Sequence, residues 1–262
     1  MLTALVTGGS SGIGRACAAA LAEQGCRVYE ISRHEKPQPA VTHITADVTD
    51  ETAMLSAAAE VYAQSGRIDI LVCCAGYGIS GAVEFTALED AMRQLDVNFF
   101  GTVNAVKAVL PYMRRAKRGR IVCTSSVAGA IPIPFQTYYS VSKAAINAYI
   151  RALRCEIKPF GITACAVMPG DINTGFTAAR EKSPAGDEEY QGRIARSVAG
   201  MEKDERNGGT PDAPGRFLAR RAMQRSVKPL YTIGLKYQLF NTLAALMPKR
   251  LLGWCVYQLY AK

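Results

Sequence analysis

Short apolar runs alternate along the first two thirds of the chain with longer segments of helical periodicity. In segments such as 12–25 and 137–158, apolar residues recur every three or four positions. Strands separated by helices of this length predict βαβ units, right-handed crossovers and a parallel sheet. The pattern therefore predicts one α/β domain built on a doubly wound parallel sheet of about seven strands. The main apolar runs are residues 2–8, 27–32, 41–47, 68–76, 119–126 and 161–170.

The alternation weakens after residue 170, and the predicted single domain 1–262 is divided into three parts. Residues 1–174 are predicted to bind the cofactor and carry the catalytic groups. The second part is residues 175–228, of which residues 175–212 are polar and interrupted by Gly and Pro. A long connection of this kind is usually a functional lid or disordered, so we predict a substrate lid here. Residues 229–262 form a tail with a short strand pattern and two amphipathic stretches.

A glycine-rich loop, "TGGSSGIG" at residues 7–14, follows the first strand and opens the first helix. Its glycines allow a sharp turn and close approach of the backbone to a pyrophosphate. The helix N-terminus adds free N–H groups and a partial positive charge. The context of strand, loop and helix therefore predicts dinucleotide binding here. The predicted contacts in this loop are Gly8, Ser10, Ser11, Gly12, Ile13 and Gly14.

Tyr139 and Lys143 are four residues apart on a predicted helix and so share one face. With 12 tyrosines in the chain, chance nearly supplies such a pair. The pair becomes significant because Ser126 ends a strand 13 residues before Tyr139 and Asn98 lies further upstream. Reduction of a ketone needs a hydride and a proton for the oxygen. An ammonium group beside a phenol lowers its pKa from about 10, so Tyr139 is predicted as the acid.

The GxxxGxG spacing and the order Asn98, Ser126, Tyr139, Lys143 resemble the short-chain dehydrogenase/reductase family over residues 3–175. The resemblance implies a Rossmann-type fold and an oxidoreductase that uses NAD(H) or NADP(H). It makes Tyr139 the proton donor and assigns the nicotinamide ribose to Lys143. Ser126 would bind the substrate oxygen. Asn98 would hold a water in a relay to the lysine; its alternative role is to brace a helix kink, and the two roles can coexist.

Further cofactor contacts follow from the same resemblance. Asp47 matches a position that contacts the adenine amine, and its alternative role is to cap the next helix. Thr174 is expected at the nicotinamide amide or a phosphate. Cys74 stands where the family usually has an Asn that cross-links the sheet, so that link is expected to be missing or replaced. The remaining expected contacts are Val48, Ala75, Gly76, Pro169, Gly170 and Ile172.

The end of the second strand bears on the form of the cofactor. NAD-preferring members of the family carry Asp at the position of Ser32. Arg33 follows, and an arginine can hold a 2′-phosphate with two hydrogen bonds. These residues predict NADPH/NADP+, with NAD(H) disfavoured. An alignment shifted by two residues would place Glu30 at the discriminating position and reverse this prediction.

Positions beyond the C-terminal ends of the strands predict the substrate pocket. Most are apolar, which suits a bulky hydrophobic carbonyl or alcohol. "AGYGISGAVE" and the tail resemble the hydroxysteroid and retinol dehydrogenase branch, so a hydroxysteroid or bile-acid-like substrate is expected. A carrier-linked 3-oxoacyl reductase and a non-catalytic dinucleotide-binding protein are the alternatives. The predicted substrate contacts are Ser126, Ala128, Ile133, Phe135, Tyr139 and Phe176.

The net charge of +9 lies in the second half of the chain, since residues 1–131 are neutral overall. The basic residues are not interleaved with aromatics in any nucleic-acid module, so no nucleic-acid partner is expected. Eight cysteines without a CxxC pair predict reduced thiols, no metal site and a cytoplasmic location. An apolar strand follows Met1 directly, so no signal peptide is expected, and no run is apolar enough to predict a spanning helix.

The tail admits three interpretations. Four leucines at 235, 239, 243 and 246 recur at helical spacing, which fits packing over the cleft or a subunit interface. With Lys249, Arg250 and Trp254 nearby, the same face could rest on a membrane surface as a peripheral contact. The family resemblance implies a homodimer or homotetramer, with helices near 86–115 and 137–158 at the dimer interface.

Overall fold

The computed structural model describes residues 1–262 and contains one central sheet. Its seven strands are all parallel, in the order β3-β2-β1-β4-β6-β7-β9, and a separate two-stranded sheet pairs β5 with β8. This confirms the predicted doubly wound sheet. The strands are β1 (Thr3–Thr7), β2 (Arg27–Ser32), β3 (Val41–Thr45), β4 (Ile70–Cys73), β5 (Ile79–Ser80), β6 (Gly119–Thr124), β7 (Ile162–Met168), β8 (Glu181–Lys182) and β9 (Leu230–Thr232).

Ten α-helices surround the sheets. They are α1 (Gly12–Glu23), α2 (Glu51–Ser65), α3 (Leu88–Leu95), α4 (Gly101–Arg115), α5 (Thr137–Ile157), α6 (Gly175–Ala178), α7 (Arg193–Arg206), α8 (Asp212–Met223), α9 (Leu235–Leu246) and α10 (Lys249–Tyr260). Helices α2, α4 and α5 bury one apolar face of the central sheet, and α1 and α8 bury the other. Because the strands are covered on both faces, they are almost continuously apolar.

Helix α8 lies in the predicted lid region but packs against the sheet, so only part of that region lies at the cleft. Leu218, Ala219 and Ala222 are fully buried against α1 and the sheet. A Cβ at Gly215 would lie 2.5 Å from the Cβ of Ala16, so only a glycine allows the two helices to pack this closely. Within the predicted lid 175–228, α8 therefore covers the sheet, while α6 and α7 contribute to the cleft wall.

Candidate active site

The glycine-rich loop forms a cradle that stays open because its glycines have no side chains. Gly8 has φ +66°, and a Cβ there would lie 2.7 Å from the backbone nitrogen of Ala75. A Cβ at Gly14 would lie 2.2 Å from the carbonyl oxygen of Gly8. The side chain of Ser11, the residue before α1, makes no capping hydrogen bond. The free N–H groups and the space above the loop therefore fit a pyrophosphate.

A cleft of about 310 Å³ runs from this loop to the catalytic residues. Most of the predicted cofactor residues line it, which brings together segments far apart in the sequence. The lining cofactor residues are Gly8, Ser11, Gly12, Ile13, Gly14, Ala75, Gly76, Tyr139, Lys143, Pro169, Gly170, Ile172 and Thr174. The predicted contacts outside the lining are Ser10, Ser32, Arg33, Asp47, Val48 and Asn98.

Asp47 and Val48 lie in the connection from β3 to α2. Asp47 Oδ1 accepts hydrogen bonds from the backbone N–H of Thr49 at 2.9 Å and from its hydroxyl at 2.8 Å. Asp50 is the residue that caps α2, since its side chain accepts from Ala53, so the capping alternative for Asp47 is wrong. Val48 is buried. Neither side chain lies on the cleft wall as it is formed in this structure.

At the end of β2, Glu30 is buried, whereas Arg33 is exposed to solvent. Glu30 is only 2 % exposed and pairs with Nδ1 of His43 beneath the glycine loop. A Cβ at Gly9 would lie 2.6 Å from its Cβ. Glu30 is therefore enclosed and does not line the cleft in this structure. Arg33 is exposed and forms no ion pair, so it is free to meet an anion.

One residue that the sequence analysis missed fixes the segment after Arg33. Arg15, on the first turn of α1, donates to the carbonyl oxygens of Lys36 at 3.1 Å and Pro37 at 2.8 Å. Its own carbonyl oxygen accepts from Gln38 Nε2 at 2.9 Å. These bonds attach the loop that carries Arg33 to the helix that follows the glycine cradle.

Helix α5 places Tyr139 and Lys143 beside Ser126, which lies just beyond β6. The ammonium nitrogen of Lys143 lies 5.6 Å from the centroid of the Tyr139 ring. It donates to the carbonyl oxygen of Thr124 at 3.0 Å. Burial lowers the pKa of Lys143 to about 8. Three of the predicted catalytic side chains therefore meet at one end of the cleft.

The protonation of Tyr139 differs from the expectation. Burial raises its pKa to about 12 and the carboxylate of Glu205 adds to this, while the nearby Ser126 hydroxyl and the Arg180 guanidinium lower it. The expected lowering by Lys143 is wrong for this structure, because desolvation of the phenolate outweighs the charges nearby. A phenol with this pKa is protonated at neutral pH and holds a proton that it can donate.

Asn98 lies behind the cleft in a π-helical turn, Asp96–Phe100, which interrupts the helix expected over 86–115. Its side chain is fully buried and bonds the backbone of Tyr77 twice, at 2.9 and 3.0 Å, and Ser142 at 3.0 Å. Asn98 therefore braces a distortion of the helix, as its alternative role proposed. A Cβ at Gly76 would lie 3.0 Å from Asn98 Oδ1 and 3.6 Å from Lys143 Nζ. A side chain at position 76 would therefore contact both Asn98 and Lys143.

Cys74 replaces the expected cross-link with a contact of its own. Its sulfur lies 3.1 Å from the hydroxyl oxygen of Thr124, which joins the ends of β4 and β6. Its backbone N–H donates to Thr7 at the end of β1. Burial raises the pKa of the thiol to about 11, so the group stays neutral next to Lys143. A thiol–hydroxyl contact thus links the strands in place of the asparagine that the family usually has.

Of the predicted substrate contacts, Ala128, Ile133 and Phe176 line the cleft with Ser126 and Tyr139. The Phe176 ring centroid lies 5.5 Å from that of Tyr139.

Phe135 does not line this cleft, so its predicted contact is wrong in this structure. It adopts φ +59° and packs its ring 5.7 Å from Tyr190. Burial in a small apolar cluster with Ala82 and Ile194 accounts for that position.

The sequence did not predict the carboxylates at this end, so the pocket is more polar than expected. Asp171, Asp204 and Glu205 all line the cleft. Asp171 accepts a hydrogen bond from the hydroxyl of Tyr237 on α9, and Glu205 pairs with the buried Arg180. These residues come from loops and helices beyond residue 170, where no sequence spacing marks a site. Only the fold brings them together.

The sheet and the cleft define a dinucleotide-dependent oxidoreductase, and the comparisons with known proteins agree. The model of the short chain dehydrogenase family matches residues 2–185. A 3-ketodihydrosphingosine reductase of Bacteroides thetaiotaomicron is 43% identical over 221 residues, covering 82% of this chain and 81% of the relative. Dehydrogenase/reductase SDR family member 7B of Xenopus tropicalis is 32% identical over 261 residues, covering 93% and 81%.

Among solved structures, a short-chain dehydrogenase from Streptomyces avermitilis superposes with a TM-score of 0.82 at 28% identity. The match covers 97% of this chain and 95% of that one. The chain belongs to the short-chain dehydrogenase/reductase family. Members of this family are NAD(P)-binding oxidoreductases that act on CH–OH groups and the corresponding carbonyls.

Proposed function

We propose that this protein is an NADP(H)-dependent reductase of a ketone in a long-chain amphiphile of the 3-ketodihydrosphingosine type. The observation that carries the proposal is the 43% identity to a 3-ketodihydrosphingosine reductase over 82% of the chain. The hydroxysteroid or bile-acid-like substrate expected from the sequence is the competing prediction. A carrier-linked 3-oxoacyl substrate is a further alternative.

The side chains of the cleft support a carbonyl reduction. Bound NADPH supplies the hydride. Tyr139 holds its proton at neutral pH because burial raises its pKa to about 12, so it is the group that donates to the carbonyl oxygen. The Ser126 hydroxyl lies close enough to lower that pKa and would stabilise the same oxygen as charge develops. Lys143 provides the positive charge beneath Tyr139 and, by family resemblance, holds the nicotinamide ribose.

The cleft wall supports an amphiphilic substrate better than a uniformly apolar one. 3-Ketodihydrosphingosine is a long-chain ketone with an amino group on the carbon next to the carbonyl. An ammonium group at that position would find the carboxylate of Asp204, which forms no ion pair. Asp171 and Glu205 lie in the same wall, and their carboxylates already bond Tyr237 and Arg180. Phe176 and Ile133 offer apolar surface for a chain. A steroid ketone has no cationic group that would use the carboxylates.

The end of β2 supports NADP(H). Ser32 replaces the acidic residue that would repel a 2′-phosphate, and the exposed guanidinium of Arg33 follows it. Glu30 is enclosed beneath the loop by its pairing with His43, so it does not offer a carboxylate to a ribose hydroxyl. Arg15 holds the following loop in place through the carbonyl oxygen of Pro37.

We also propose a homodimer formed through α4 and α5, as the family resemblance implies. Phe100 and Val141, next to and on these helices, are exposed large apolar side chains in the single chain. Sedimentation velocity tests this directly. A single species with the mass of one chain at micromolar concentration would refute the dimer.

The proposed reaction is tested by NADPH consumption with a panel of substrates. The panel contains 3-ketodihydrosphingosine, a ketone of equal chain length without the amino group, a 3-ketosteroid and a carrier-linked 3-oxoacyl thioester. We expect the amino ketone to have the highest kcat/KM. Preferred turnover of the steroid or of the thioester would refute the substrate, and no turnover of any ketone would refute the reaction.

A variant separates recognition of the amino group from general activity. Asp204→Asn should raise KM for the amino ketone, because its ammonium group loses the carboxylate that binds it. KM for the ketone without the amino group should stay unchanged. Glu189→Gln, an exposed acid that does not line the cleft, is the matched control. Equal effects on the two substrates would contradict a role of this carboxylate in binding the ammonium group.

A further inference from the structure

Helices α9 and α10 carry an unusually exposed apolar face, which we call the tail surface. On α9, Leu235, Leu239, Leu243 and Leu246 are spaced by four, four and three residues and therefore share one side of the helix. The side chains range from 44 % to 85 % exposed, and they include Trp254, the only tryptophan of the chain. The tail surface consists of Leu235, Leu239, Phe240, Leu243, Leu246, Leu251, Trp254, Tyr257 and Leu259.

The part of the chain that forms the tail surface carries only positive charge. Residues 213–262 contain nine Lys and Arg residues and no Asp or Glu, so they account for the whole net charge of +9, and residues 1–212 are neutral overall. Four of the nine, Lys236, Lys249, Arg250 and Lys262, lie on or directly after α9 and α10 and are exposed. The tail surface therefore combines apolar and aromatic side chains with basic ones, without an acidic residue.

Another exposed apolar face of the protein has a different charge pattern. Leu88 and Met92 on α3 are 66 % and 55 % exposed. Around them the helix carries Glu89, Asp90 and Arg93. A face with both signs of charge suits contact with a second protein chain, whereas a purely basic apolar face complements an anionic lipid surface. The exposed face of α3 therefore suits a protein partner, whereas the tail surface suits an anionic lipid surface.

The tail surface is built on the helices that also close the active-site cleft. Tyr237 of α9 and Tyr260 of α10 both line the cleft. The hydroxyl of Tyr237 accepts from the N–H of Asp171 at 3.1 Å and donates to its carboxylate. A Cβ at Gly170 would lie 2.2 Å from the Tyr237 ring, so the ring lies directly on the loop after β7. The outer side of these helices is the tail surface, and the inner side meets the cleft.

We propose that the tail surface is a peripheral docking site for an anionic phospholipid bilayer. No helix of the chain has the length and apolar character needed to cross a membrane. Helices of 12 residues, about 18 Å long, can instead lie in the plane of the interface, with leucines and Trp254 among the acyl chains and basic side chains at the phosphates. Trp and Tyr favour this boundary because their rings are amphipathic.

Docking in this orientation would bring the cleft next to the lipid. The benefit for catalysis rests on the proposed function, because a long-chain amphiphilic substrate resides in the bilayer. Such a substrate would reach Tyr139 by moving past Tyr237 and Tyr260 without crossing water. Binding of the protein to lipid does not depend on the substrate and can be measured without it.

The test uses the full chain, without cofactor or substrate, and vesicles of phosphatidylcholine alone or with about 30 % phosphatidylglycerol. Trp254 is the natural reporter, since it is 59 % exposed and is the only tryptophan. We expect its emission to shift to shorter wavelength with the anionic vesicles, and protein to sediment with them. Lipids that carry a quencher in the upper acyl chain should quench that emission. High salt should weaken the binding.

Two variants address the two parts of the tail surface. Leu239→Ser with Leu246→Ser should reduce partitioning about tenfold or more, because two apolar side chains no longer enter the lipid. Lys249→Gln with Arg250→Gln should reduce it roughly 25-fold, since each basic residue at an anionic surface contributes roughly fivefold.

The matched control is Leu88→Ser with Met92→Ser, which removes equally exposed apolar side chains from α3. It should bind the anionic vesicles as the unmodified chain does. An equal loss of binding in this control would refute the assignment to the tail surface.

Other outcomes would also overturn the proposal. Absence of a shift with anionic vesicles would refute it, whatever the substrate assays show. A blue shift that grows with protein concentration in the absence of lipid, together with a larger sedimentation coefficient that Leu239→Ser with Leu246→Ser abolishes, would identify a second copy of the chain as the occupant. Turnover of the long-chain ketone without vesicle binding would preserve the proposed function and refute the docking site.

Discussion

The buried ammonium group of Lys143 makes the active site a source of pH-dependent instability. Burial lowers its pKa from 10.5 to about 8. The difference of about 2.5 units corresponds to about 3 kcal/mol, at 1.36 kcal/mol per unit. Replacement by Met removes the charge and retains much of the apolar volume. It also removes the hydrogen bond to Thr124, which contributes about 1 kcal/mol.

The direction of the effect follows from the proton balance. Below pH 8 the lysine is charged in both the folded and the unfolded chain, and the folded state bears the full cost of burying the charge. Between pH 8 and about 10.4 the folded state has lost the proton while the unfolded state still holds it, so stability rises with pH. Above this window the cost has vanished. Lys143→Met should therefore be more stable than the natural chain by about 2 kcal/mol at pH 7, and less stable by about 1 kcal/mol above pH 10.4.

Urea unfolding of both proteins at several pH values measures this difference. Buried thiols such as Cys74 also titrate at alkaline pH, but their effect is similar in both proteins and largely cancels in the difference. Lys143→Met should lose turnover although it gains stability at pH 7, because the charge beneath Tyr139 is missing. A stability difference that is the same at pH 7 and pH 10 would refute the assignment of a buried, perturbed lysine.

Three further predictions concern the cofactor cradle and its support. Gly14→Ala should abolish NADPH binding measured by fluorescence, because its Cβ would lie 2.2 Å from a carbonyl oxygen of the same loop, whereas Gly200→Ala, which has open space, should bind normally. Asn98→Ala should cost about 1–3 kcal/mol of stability in urea, since the backbone of Tyr77 loses its partners, and an unchanged midpoint would contradict the bracing role. Arg33→Ala should raise KM for NADPH about tenfold, a loss of about 1.4 kcal/mol, and leave NADH unchanged; equal effects on both cofactors would argue against a 2′-phosphate contact.

The sheet could be predicted because its signals are local. Each strand of a covered parallel sheet is a continuous apolar run, and each crossover has helical periodicity. The glycine loop was also readable, because Gly8 and Gly14 occupy positions where a Cβ has no space. Tyr139 and Lys143 could be placed together because one helix carries both. In each case the determining interaction lies within one motif.

What could not be predicted depends on contacts between distant segments. The pKa of Tyr139 reflects burial and the charges of Arg180 and Glu205, which lie far along the chain. The approach of Tyr237 to Asp171 joins residues 66 positions apart. Phe135 packs in a separate apolar cluster and has a left-handed backbone conformation, and no sequence pattern marks either feature.

The most direct test of the catalytic assignment is the turnover of Tyr139→Phe with NADPH and 3-ketodihydrosphingosine. The variant keeps the ring that packs on Phe176 and lacks only the hydroxyl that carries the proton. We expect kcat to fall by about 10²–10⁴-fold, the usual contribution of a positioned acid, while NADPH binding stays unchanged. Tyr138→Phe, the neighbouring substitution outside the cleft lining, should retain normal turnover. A Tyr139→Phe enzyme that turns over at the rate of the natural chain would contradict the account.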